Sequence, residues 1–317
     1  MTRILLVKTS SLGDVIHNLP VASDIHAAFP GSRIAWVVEE SFAAIPRLHH
    51  AVWRVLPVAI RRWRSNWWRA GTYTEIRRFA SELKLEAYDA VIDTQGLLKS
   101  AVVASVARGM RFGLDFASAR EPLAMFYDKT FNVPWTSHAV ERNRALAAKA
   151  LGYTVRNGVE YGISARDQRF EWLPGSRYAV LVHATSTADK LWAEDCWNAL
   201  GAHLNYRGVC SILPWGNARE RQRSERLAAA IPNAIVPPQL PLDEIASLLA
   251  GASAVVGVDS GLTHLATALK VPAIGIYCAT DPMATGLYGS PRAANLGGIG
   301  AMPPVREVVA ALERLVA

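Results

Sequence analysis

Little in this chain of 317 residues points to covalent cross-links or a built-in metal. There are three cysteines, Cys196, Cys210 and Cys278. They are scattered and odd in number, which excludes a disulfide framework and leaves no metal-ligand spacing, so they read as buried free thiols. No uninterrupted apolar run approaches the ~20 residues that span a bilayer. The N-terminus enters a strand-like segment at once, without a signal-peptide cleavage pattern, and the expected compartment is the cytoplasm. There is no P-loop and no G-x-G-x-x-G, which argues against a Walker-type ATPase and a dinucleotide oxidoreductase. Internal repeats and low-complexity tracts are also missing.

Acidic residues are scarce in one place. The net charge is +7, and residues 1–153 carry all of it, with 20 Lys+Arg against 13 Asp+Glu. Residues 154–317 balance at 14 of each. Within the first half, residues 54–84 hold eight basic groups and only Glu75 and Glu82 as acids, interleaved with Trp63, Trp67 and Trp68. A focused positive patch of this kind attracts nucleic acid, anionic headgroups or an acidic substrate. No nucleic-acid motif accompanies it.

What is abundant is apolar sequence: 51% of residues are hydrophobic and 19% charged, enough for two globular domains. Short buried runs recur at 3–8, 34–38, 52–55 and 90–93, then at 178–183, 210–213, 234–236, 254–258 and 273–277. Helical segments at 195–205, 219–230 and 242–250 alternate with them, and 305–316 is amphipathic. Such alternation predicts βαβ units in a doubly wound α/β sheet. The predicted domains are 1–153 and 154–317, divided near a turn-rich stretch at 153–177. Pro20 either kinks the first helix or delays its start.

Loops at the carboxyl ends of parallel strands are where such sheets bind ligands, and four carry suitable residues. Ser10, Ser11 and Gly13 permit a tight turn before Asp14 at a helix start. Asp14 is there either as an N-cap or as a general base. Asp259-Ser260-Gly261-Leu262-Thr263-His264 offers backbone N–H groups and hydroxyls to a phosphate. His264 could hold a phosphate oxygen or pack on the sheet, and Asp259 suits a cap or a sugar hydroxyl. Thr185, Ser186 and Thr187 with Lys190 form a second cradle, or a solvated turn with a surface lysine. Glu220 caps its helix or grips a ribose diol.

Taken together these segments resemble the ADP-heptose:lipopolysaccharide heptosyltransferases over nearly the whole chain. Val7-Lys8-Thr9-Ser10-Ser11-Leu12-Gly13-Asp14 is similar to that family's opening signature. Residues 37–40, 59–64 and 120–124 look like acceptor-side segments of its type I members. His183-Ala184-Thr185-Ser186, Asp189-Lys190, Leu213-Pro214-Trp215-Gly216 and 259–265 look like its donor side. The resemblance implies a GT-B fold, two Rossmann-like domains facing across a cleft, the last helix packing back on the N-terminal one. It implies transfer of L-glycero-D-manno-heptose, with inversion, from ADP-heptose to the first Kdo of Kdo-lipid A.

By the same resemblance Asp14 and Lys190 are catalytic. Thr185, Ser186, Thr187, Glu220, Leu240, Asp259, Ser260, Gly261 and His264 bind the nucleotide sugar. Ser10, Ser11, Gly13, Arg61, Arg62, Arg64 and Arg120 bind the acceptor. No obligatory cofactor or metal is implied, and no nucleic-acid partner. The expected protein is a monomer, peripheral on the anionic inner face of the inner membrane. A type II heptosyltransferase or another core sugar transferase is the alternative enzyme. A binding protein for anionic surfaces or nucleic acid is the alternative outside enzymes.

Overall fold

The computed structural model describes residues 2–173, 175 and 177–316. The chain divides into two compact units, Met1–Ser164 and Ala165–Ala317. The division falls within the turn-rich stretch but later than residue 153. The helix Ala139–Leu151 ends at Gly152, whose φ of +74° gives the left-handed cap that glycine adopts without strain. The chain then returns to the first unit. His50 N donates to Gly162 O (3.0 Å), and Ile163 bridges His49. Gly162 has φ +65°, and a Cβ there would run into the His49 ring and Ser23 Oγ, so only glycine fits.

The first unit is built on six parallel strands: β1 Arg3–Val7, β2 Arg33–Glu39, β3 Val52–Val58, β4 Ala87–Asp93, β5 Arg108–Leu114 and β6 Lys129–Phe131. Their order is β3-β2-β1-β4-β5-β6. Strand order therefore reverses between β1 and β4, the switch point where a doubly wound sheet opens a ligand crevice. Val7 pairs with both Val37 and Asp93, so the loops after β1, β2 and β4 begin side by side. Pro20 does not bend one helix. It sits in the first turn of a second helix, Leu19–Ala28, where its missing N–H costs no bond, and the helix Leu12–His17 stops before it at Asn18.

The second unit has five parallel strands: β7 Tyr178–Val182, β8 Cys210–Ile212, β9 Ala254–Val258, β10 Ala273–Tyr277 and β11 Ala293–Gly297, in the order β11-β10-β9-β7-β8. Its switch point lies between β7 and β9. The predicted strand at 234–236 forms only one bridge, Ile212 to Ile235. Pro237 and Pro238 follow it, and proline cannot donate to a ladder. The closing helix, Val305–Val316, buries Val308, Ala311 and Leu312 in the second unit's own core. Trp192 and Trp197 meet edge to face in the same core, centroids 5.0 Å apart. Such a pair adds about 0.5–1.5 kcal/mol beyond the area it buries.

Candidate active site

The loop after β1 is held from the loop after β4. Gln95 Oε1 accepts from Thr9 N (3.0 Å) and Ser10 N (3.1 Å), and Lys99 Nζ donates to Ser10 Oγ (2.5 Å). Gln95 is itself fixed, because its N–H donates to the fully buried Asp93 (2.8 Å), which also accepts from Tyr127 (2.8 Å). Burial pushes the Asp93 carboxyl up, against its hydrogen bonds.

At the end of this loop Asp14 Oδ2 accepts from Ser11 N and Ser11 Oγ, both at 2.8 Å. Ser11, not Asp14, is the N-cap; Asp14 stands at the third helical position and closes a capping box on Ser11. The box uses one carboxylate oxygen, and among the described residues no protein donor reaches the other. Gly13 and the half-buried Asp14 lie in the first turn of the helix Leu12–His17.

Two lysines, Lys8 and Lys99, feel the charge of this carboxylate, and arginines lie near both. Lys8 is buried and donates to Thr94 O (2.8 Å). Burial lowers its pKa, while Asp14 and Asp93 pull it back up, and Arg142 and Arg120 add to the lowering. Lys99 is lowered by burial first and then by Arg61, with Arg64 also close enough to act. Arg142 lies 3.5 Å over the Trp135 ring and Arg120 5.5 Å from it. Burial and the Arg120 charge bring Arg142 down to about 10. Of the predicted acceptor-binding residues, Ser10, Arg61, Arg64 and Arg120 thus share one electrostatic neighbourhood with the predicted catalytic Asp14.

Arg62 is placed differently. It donates to Glu40 (3.0 and 3.1 Å) and to Glu75 (2.7 and 3.0 Å), which hold its guanidinium well above the usual range. Glu75 also accepts from Trp63 Nε1 (2.8 Å). Arg62 serves to tie the helix Ile60–Ser65 to the helix Ala70–Lys84. Buried Glu39 supports the same segment by accepting from Arg61 N (3.0 Å).

In the second unit the loops after β7 and β9 are joined at the switch point. Thr185 Oγ1 donates to Asp259 O (2.8 Å) and Lys190 Nζ to Asp259 Oδ2 (2.7 Å). Thr280 Oγ1 donates to the same oxygen (2.9 Å), and His264 Nε2 is 3.6 Å from Oδ1. Burial alone would raise the Asp259 carboxyl, but His264 and Lys190 overcome it and hold it well below the carboxylate range. Ser260 stands at the N-cap position of the helix Gly261–Ala268 without a side-chain capping bond, and Gly261 at its first turn is half-buried.

A cavity of about 390 Å³ adjoins this cluster, lined by Thr185, Ser186, Thr187, Asn217, Arg219 and Glu220 among others. Glu220 accepts from Gly216 N and Asn217 Nδ2, both at 2.7 Å. Leu240 is not part of that lining; it follows Gln239, which donates to Gly216 O (3.1 Å).

Sequence reading missed Gln95, Lys99, Arg142 and Thr280. The first two follow β4, the other strand of the switch point, so extending the loop rule from β1 to its neighbour would have found them. Arg142 comes from a distant helix and Thr280 from the loop after β10, and no local pattern marks either. Among the described residues no group of three His, Cys, Asp or Glu side chains is placed to hold a metal ion.

Two α/β units built on parallel sheets, each presenting polar loops at its own switch point, are the architecture of the GT-B glycosyltransferases. Within that class the chain belongs to glycosyltransferase family 9, the heptosyltransferases, whose family model matches residues 76–312. It is 51% identical to lipopolysaccharide heptosyltransferase 1 of Pseudomonas aeruginosa, over 90% of this chain and 81% of the relative. It is 46% identical to the enzyme of that name from Escherichia coli K12, over 90% and 91%. Its structure is similar to that of E. coli heptosyltransferase WaaC with ADP, with a TM-score of 0.90 and 43% identity over 99% of this chain and all of the other. The same enzyme with ADP-2-deoxy-2-fluoro heptose superposes with a TM-score of 0.87, again at 43% identity, over 99% of each chain.

Proposed function

We propose that this glycosyltransferase of lipopolysaccharide synthesis moves L-glycero-D-manno-heptose from ADP-heptose to the first Kdo of Kdo-lipid A. The second unit takes the donor and the first takes the acceptor. The observation that carries this reading is the charge contrast between the two sites: Lys8 and Lys99 lie near Asp14 with no carboxylate in salt-bridge contact among the described residues, whereas Lys190 and Asp259 neutralise each other. An acceptor bearing carboxylates and phosphates suits the first arrangement.

The reaction is a single in-line displacement with inversion. Asp14, held by Ser11 through one oxygen, takes the proton of the acceptor hydroxyl as that oxygen attacks the anomeric carbon. The bond from that carbon to the diphosphate breaks and ADP leaves with the electron pair. Lys190, the hydroxyls of Thr185, Ser186 and Thr187, and the N–H groups at Gly261 stabilise the charge that builds on it. In this proposal those groups supply the positive field without an obligatory cofactor. Glu220 holds the ribose, Leu240 lies beside the adenine, and Asp259, Ser260 and His264 hold the sugar and diphosphate. Ser10, Ser11, Gly13, Arg61, Arg64 and Arg120 receive the acceptor. The protein acts as a cytoplasmic monomer, peripheral on the inner membrane, and no helix among the described residues is long and apolar enough to cross it.

The test is consumption of ADP-heptose by purified protein offered Kdo-lipid A or a heptose-terminated core. Turnover confined to Kdo-lipid A is expected. Preference for the heptose-terminated core would assign the chain to the type II reaction instead.

A further inference from the structure

The segment from Asn66 to Arg78 carries an exposed aromatic and basic surface with no part in the mechanism proposed above. Trp67 and Trp68 are 64% and 62% exposed and Tyr73 is 54% exposed. The two indoles meet edge to face, centroids 6.2 Å apart. Indole rings left in water beside one another suit a partner that is apolar below and polar above.

The surrounding charge is also unusual. Of the eight basic groups at 54–84, Arg54 is paired with Glu82 and Glu86, and Arg62 with Glu40 and Glu75. Both local acids are thereby used. Arg69, Arg77 and Arg78 are exposed and have no carboxylate partner among the described residues. On the helix Ala70–Lys84 the inner face buries Thr72 and Leu83 with Phe79 against the core, which leaves Tyr73, Arg77 and Arg78 facing out. The segment is also braced: Thr72 Oγ1 donates to Asn66 O (2.8 Å), and the Arg62–Glu75–Trp63 network ties the helix before it to the helix after it.

We propose that Trp67, Trp68 and Tyr73, ringed by Arg69, Arg77 and Arg78, form an interfacial anchor that seats the first unit on an anionic bilayer. This rests on the reading of the acceptor as a lipid. Aromatic side chains settle at headgroup depth and arginines draw anionic lipid to the same plane. Arg61 and Arg64, beside Lys99 and Asp14, stay with the acceptor sugar. The anchor raises the local concentration of a membrane-borne acceptor without touching the reacting atoms.

The experiment is co-sedimentation of the full chain with vesicles of phosphatidylethanolamine and phosphatidylglycerol, beside pure phosphatidylcholine. It is paired with kinetics on acylated acceptor in vesicles and on deacylated acceptor in solution. Wild type is expected to partition to the anionic vesicles, weakening as salt rises. Trp67→Ala/Trp68→Ala should cut partitioning about tenfold or more and raise KM for the vesicle-borne acceptor by a similar factor, with kcat/KM on the deacylated acceptor unchanged. Arg69→Ser/Arg77→Ser should weaken partitioning and flatten its salt dependence.

Unchanged vesicle binding in both variants would overturn the anchor. So would an equal loss on soluble acceptor, which would place the indoles in the acceptor site, or wild-type binding to neutral vesicles that matches the anionic ones. Absence of heptose transfer to either acceptor would defeat the functional reading alone, since partitioning is read without catalysis.

Discussion

The two units solve one problem, a ligand site at a sheet's switch point, with opposite charge economies. In the first, Lys8 and Lys99 both feel the Asp14 charge, while burial and neighbouring arginines lower them: Arg142 and Arg120 act on Lys8, and Arg61 and Arg64 on Lys99. In the second, Lys190, Thr280 and His264 all turn onto Asp259, and the cluster is closed on itself. Under the proposed function the difference separates an acceptor site from a donor site. Surplus positive charge waits for an anion brought from outside. A lysine already held by an aspartate is aimed before its ligand arrives and need only share its protons with a diphosphate.

The contrast can be broken at several points. The largest effect is expected at Asp14. Asp14→Asn keeps the size of the side chain and removes the base, and kcat should fall by ~10²–10⁴-fold, read by ADP release under saturating substrates. Lys190→Ala should lower kcat by about 10²-fold or more, the scale of removing one transition-state donor, and an unchanged rate would take Lys190 out of the mechanism.

Arg61→Gln/Arg64→Gln should raise acceptor KM about tenfold, the cost of roughly 1.4 kcal/mol of binding, with donor affinity intact. Arg62→Gln should instead act through the segment it braces, because its charge is already taken by Glu40 and Glu75. Its effect on KM should be the smaller of the two. A matching rise would return Arg62 to the acceptor.

The smallest effect concerns stability, and each unit carries its own version. Burial lowers His49 to about 3 in the first unit and His183 to about 4 in the second. Each has partners that suit the neutral ring: Ala51 N donates to His49 Nδ1 (3.0 Å), and Ser224 Oγ lies 2.8 Å from His183 Nε2. Below the ordinary histidine value of about 6.5 the unfolded chain binds a proton that the folded chain refuses. Stability should therefore fall as pH drops from about 6.5 towards 4, by on the order of 1–3 kcal/mol per ring. Denaturant titrations of His183→Asn across that window should show a flatter slope than wild type. An unaltered slope would mean that this ring does not govern the acid sensitivity.

Much of this was legible in the residues. The runs at 4–7, 254–258 and 273–277 are wholly apolar because both sheet faces are covered, and they appear within β1, β9 and β10. The helices at 242–250 and 305–316 occur at those limits. Strands β5, β6 and β11 escaped notice for a common reason. β5 reads Arg-Gly-Met-Arg-Phe-Gly-Leu, β6 has three residues at the sheet's edge, and β11 is a half-exposed edge strand rich in small residues. Pairing to a neighbour, not local hydrophobicity, makes them strands. Gly113 in β5 shows the same dependence on distant sequence: the Tyr127 ring fills the space a Cβ would need.

The site divides along the same line. Asp14, Thr185, Lys190 and Asp259 announce themselves as polar residues just past an apolar run. Gln95 and Arg142 acquire meaning only when the sheet brings β4 beside β1 and a helix 130 residues away supplies a cation. The pairing of Arg62 with Glu40 and Glu75 is likewise invisible in a count of charges.

The division of labour between the units is tested most directly by titrating ADP into Asp14→Asn and Lys190→Ala side by side by calorimetry. Asp14→Asn should bind ADP as wild type does, and Lys190→Ala should bind it at least tenfold more weakly. Loss of ADP affinity in Asp14→Asn with retention in Lys190→Ala would contradict the assignment of acceptor chemistry to the first unit and donor binding to the second.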